Sequence, residues 1–109
     1  MKKDNKRSQE LERARSLLRQ ADEALTRQGQ QSRSLKERDA DFVEAQRAHR
    51  EAVAVIEQLR DRSEVDEALV AALAPLQVEI ADLEILMSEI RFDEAELSYR
   101  YPRLRSVGA

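Results

Sequence analysis

Cysteine and tryptophan are absent from the 109 residues, and glycine and proline occur only twice each. Without cysteine there are no disulfides, no thiolate metal sites and no thiol nucleophiles. So few glycines and prolines leave little turn chemistry for a multi-stranded sheet. Aromatic residues make up 4% and charged residues 38%, the composition of long, solvent-flanked helices rather than of a thick globular core. No apolar run approaches the ~20 residues of a membrane span. Met1-Lys2-Lys3-Asp4 leads into no apolar signal region. The expectation is a single helical domain over 1–109, soluble and cytoplasmic, because a chain this short cannot hold two cores.

Net charge is −3, but it is polarised along the chain. Residues 1–38 hold eleven bases against six acids, and residues 63–98 hold ten acids against Arg91 alone. Opposite local balances favour a basic segment lying beside an acidic one, within a chain or between chains.

Three helices are predicted from the apolar spacing. In helix 8–28, Leu11, Ala14, Leu18, Ala21 and Leu25 recur in steps of three and four, with Leu17 and Ala24 beside them. Gly29 suits a left-handed C-terminal cap, although a helix continuing through it would cost only about 1 kcal/mol. Ser34 and Glu37 then have the spacing of a capping box, opening helix 35–60. Its seam is Phe42, Ala45, His49, Ala52, Ile56 and Leu59. Ser63 and Asp66 repeat the capping signal more weakly before helix 64–96. Pro75 falls inside that helix, but the periodicity crosses it, so a kink is expected. The alternative is a short helix 64–73 that stops there, with Pro75 in the first turn of a new one.

Helix 64–96 carries two seams. Leu69, Leu73, Leu76, Ile80, Leu83, Met87, Ile90 and then Leu97 form the first, broken only by Glu94. Ala71, Ala74, Val78, Ala81, Ile85, Ser88, Phe92 and Ala95 form the second, roughly 155° away. One neighbour cannot bury both. The fold class expected is therefore all-α, an antiparallel coiled-coil helical hairpin or three-helix bundle. The second and third helices, of similar length, are the expected core hairpin. Beyond Glu96 the period changes, and a short extended C-terminal tail, 97–109, is expected around Tyr99, Tyr101 and Pro102.

Few residues suggest chemistry. His49 is the sole imidazole, set at a core position with no nucleophile or orienting acid legible around it. Its expected role is to fix register between helices. No Glu-x-x-His pair or glycine-centred acidic loop is present, so no metal ligand, cofactor or catalytic residue is assigned. The basic N-terminal segment lacks aromatics for stacking, which makes nucleic acid an unfavoured partner.

A non-enzymatic coiled-coil interaction module is expected, an adaptor or assembly component that forms a homo-oligomer through helix 64–96. Val78, Ile85 and Phe92 are the candidate contacts on the second seam. Tyr99, Arg100, Tyr101 and Arg103 are candidates in the tail, since tyrosine and arginine often dominate interfaces. The alternative is an inhibitor or regulator whose acidic helix occupies a basic surface of a protein partner. No membrane partner is expected.

Overall fold

The computed structural model describes the backbone of residues 2–62 and 64–100 and the side chains of residues 6–62 and 64–91. It is an all-α three-helix bundle: α1 spans Lys2–Gln28, α2 Leu35–Arg62 and α3 Glu67–Arg100. The bundle is a rod of 57 × 19 × 18 Å, so every helix lies nearly along its long axis. No described helix is long and apolar enough to cross a membrane.

Local chemistry sets the helix ends. Ser34 and Glu37 form a reciprocal capping box: the Glu37 amide donates to Ser34 Oγ at 3.1 Å and the Ser34 amide to Glu37 Oε1 at 3.2 Å. At the start of α3, the Leu69 amide donates to Asp66 Oδ1 at 2.8 Å and the Val70 amide to the Asp66 carbonyl at 3.0 Å. Asp66 is therefore the N-cap itself, not the third residue of a box opened by Ser63. Ser63 lies outside the described residues.

Gly29 departs from expectation. No described glycine has positive φ, and its amide still donates to the Leu25 carbonyl at 3.2 Å. The chain leaves α1 through right-handed turns, with Gln30 donating to Arg27 and Arg33 to Gln30. In place of a left-handed cap, the Gly29 and Gln30 amides occupy the Leu25 and Arg27 carbonyls, and the Arg38 guanidinium donates to the Gln30 carbonyl at 3.0 Å. The break at 29–34 folds α1 back, and the single long helix does not form.

The tightest pair also differs from expectation. The backbones of α1 and α2 approach most closely, while α3 stands further from both. Alanine explains this. Ala14, Ala21 and Ala24 on α1 and Ala45, Ala48 and Ala52 on α2 are almost wholly buried, and residues this small let two helices approach toward the ~8 Å limit. α3 seats larger side chains, Leu69, Leu73, Leu76, Leu83 and Met87, which hold its axis further out. Leu18, Leu59 and Leu69 are the largest fully buried side chains, each worth about 1.5–3 kcal/mol of burial.

Pro75 lies inside an uninterrupted α3. At the far end α3 runs to Arg100, so the extended segment expected from residue 97 is not found. Glu94, Ala95, Glu96 and Leu97 are good helix formers, and their propensity outweighs the short alternation that follows. Tyr101, Pro102, Arg103 and the rest of the tail lie outside the described residues.

Candidate interaction surface

The outer face of α3 follows from how its inner face is used. From Leu69 to Ile90 the first seam points into the bundle, with Ile80 and Ile90 half-buried at its margins. A helix docked on α1 and α2 by that stripe must turn the opposite stripe to water. Ala71, Ala74, Val78, Ala81, Ile85 and Ser88 are all exposed, with Val78 at 62% and Ile85 at 60%. Neither α1 nor α2 covers them. From Ala71 to Ser88 the stripe rises about 25 Å along the rod.

Acids flank this stripe. Asp82 and Glu89 border it on one side and Glu84 on the other, all exposed, with Arg91 the base beyond Glu84. The Arg91 guanidinium sits 5.7 Å from the centre of the Phe42 ring, which ties it to α2. The Phe92 side chain, and those of Tyr99 and Arg100, lie outside the described side chains, as do Tyr101 and Arg103 entirely. Of the expected contact residues, Val78 and Ile85 are therefore the two whose surroundings are described.

Between α2 and α3 a shallow groove of about 490 Å³ opens beside the stripe, lined by His49, Val53, Glu84, Met87 and Arg91 among others. His49 is buried, and its Nε2–H donates to the Ile80 carbonyl at 3.1 Å. Glu84 Oε1 is 3.7 Å from the same nitrogen. The imidazole thus bridges two helices as a core hydrogen-bond donor, consistent with a register-fixing role. Among the described residues no group of three or more potential ligands converges on a metal position.

Charge pairing follows the helix polarity in part. Arg7 of α1 donates to Asp66 Oδ2 at 3.1 Å and to the Glu64 carbonyl at 2.6 Å. This contact shows the start of α1 beside the start of α3, so the basic and acidic helices run parallel. Other long-range pairs join α1 and its turn to α2. Arg27 meets Glu44 at 2.7 Å, and Arg33 grips buried Asp41 through Nε at 3.0 Å and Nη2 at 2.8 Å. The Arg33–Asp41 fork was not legible in the sequence, because only the folded turn brings Arg33 back over α2.

Two exposed carboxyls are held below the usual carboxylate range. For Asp66 the Leu69 amide is the main cause and the Arg7 guanidinium the next. For Glu37 it is the Ser34 amide, then the Ser34 hydroxyl and Arg33. Both are helix-start carboxyls in structural roles, and neither borders the α3 stripe. Comparison with known proteins adds no relative: no family model, curated protein or solved structure matches the chain.

Proposed function

We propose that this chain is a non-enzymatic coiled-coil interaction module whose working surface is the outer face of α3. One observation carries the reading. A heptad stripe from Ala71 to Ser88, with Val78 and Ile85 among small residues, lies in solvent although the same helix has already buried its other stripe. A helix needs one apolar face to join a bundle, and a second heptad-spaced face serves a second neighbour. Association with another copy is one form of this function. Occupation of a basic surface on a regulated protein is another, and the acids flanking the stripe favour it.

Val78→Glu/Ile85→Glu tests the reading. Both side chains are mostly exposed, so helicity and melting temperature should stay within the range of surface substitutions, about ±0.5 kcal/mol. The variant should then lose binding to a synthetic helix with leucine at its seam positions and lysine at its flanks, and lose any self-association that sedimentation equilibrium shows for the unaltered chain at micromolar concentration. A large drop in melting temperature would instead assign the stripe to the monomer's own fold.

A further inference from the structure

We infer that the outer face of α3 is built to receive a helix of a different protein, one with large apolar seam residues and basic flanks, in preference to a second copy of this chain. This rests on the stripe being the working surface and adds the chemistry of its occupant. The flanks supply the first reason. Asp82 and Glu84 flank the stripe near Ile85 and Glu89 flanks its end beside Ser88, and the segment 63–98 holds ten acids to one base. In a two-fold antiparallel pairing centred near Asp82 and Glu84, these two each face the same residue of the second copy. In a parallel pairing Glu84 faces Glu89 of the second copy. Both arrangements set like charges at the rim, where charge governs choice of partner.

The seam itself supplies the second reason. Val78 and Ile85 alternate with Ala74, Ala81 and Ser88. In parallel self-pairing, small residues would meet small residues and leave those layers underfilled. Leucines of a partner helix would fill them. Lysines or arginines at the partner's flanking positions would lie opposite Asp82, Glu84 and Glu89, completing both packing and charge.

The test uses the full chain and two synthetic peptides of about four heptads, each with leucine at the seam positions. One carries lysine at every flanking position and the other glutamate, so each repels itself and stays monomeric alone. The chain should be monomeric at low salt by sedimentation equilibrium. It should bind the lysine peptide at least about tenfold more tightly than the glutamate peptide, and the preference should shrink between about 0.05 and 0.5 M NaCl as screening shortens. Asp82→Lys/Glu89→Lys, which alters exposed residues only, should reverse the preference while helicity is kept. A dimeric chain at low salt, or equal binding of the two peptides, would overturn the charge selection and leave the docking surface standing. If neither peptide binds and the chain does not self-associate, the docking surface falls and this inference with it.

Discussion

Asp41 and Gly29 show how far single residues depend on what folds around them. Asp41 is 4% exposed and would be an expensive buried charge but for the two nitrogens of Arg33 that meet it and Arg27 Nε at 3.5 Å. Gly29 looks like a residue chosen for a left-handed turn, yet its backbone is right-handed. A β-carbon placed on it would lie 3.7 Å from the Thr26 carbonyl oxygen and 3.8 Å from that of Leu25, ordinary van der Waals separations. Gly29→Ala should therefore stabilise the chain by about 0.4–1 kcal/mol, chiefly by restricting the unfolded state. Chemical denaturation would show this as a raised midpoint, and a lowered midpoint would mean the position needs glycine after all.

Two helix starts among the described residues hold carboxyls that the fold makes more acidic. Glu37 and Asp66 have lowered pKa values in the fold, so their contribution is complete above the usual carboxylate range. It is lost as pH falls through the lower folded-state values, because the unfolded chain then binds protons first. The melting temperature should hold from neutrality to about pH 5 and fall below about pH 4. Ser34→Ala removes the hydroxyl that both accepts the Glu37 amide and helps hold the Glu37 carboxyl ionised. It should lower stability at neutral pH by about 0.5–2 kcal/mol and make the acid fall shallower. Parallel slopes for variant and wild type would show that Glu37 is not coupled to folding. The capping box was visible as Ser34-x-x-Glu37, since both partners lie in one turn of chain. Asp66 as N-cap was not read from the sequence, where Ser63-x-x-Asp66 has the spacing of a weaker capping box and so assigns Asp66 the partner's place.

The bundle as a whole divides into an intimate α1–α2 pair and a more distant α3. Alanine-lined contact holds the first two helices together, while α3 rests on leucine tips and leaves its other stripe wet. Amide hydrogen exchange should reflect this, with slower exchange around Leu18 and Ala48 than around Leu83. Equal protection in all three helices would mean that α3 opens only with the whole bundle. Binding of an occupant to the outer face should slow the α3 amides most, because that helix would then be held from both sides.

Helix number, the apolar stripes and the capping box follow from the order of residues alone, because each depends on neighbours within one or two turns. All five seam residues of the first helix and all six of the second are buried. Both seams of α3 were also legible, the first set into the bundle from Leu69 to Ile90 and the second exposed from Ala71 to Ser88. Pairing was not. Equal helix length suggested α2 with α3, but small side chains at Ala14, Ala21, Ala45 and Ala52 bring α1 to α2, a matter of complementary volume between distant segments. The choice of which α3 stripe enters the bundle was likewise decided in three dimensions, since leucines fill the space that the alanine pair leaves open and Val78 and Ile85 are turned outward.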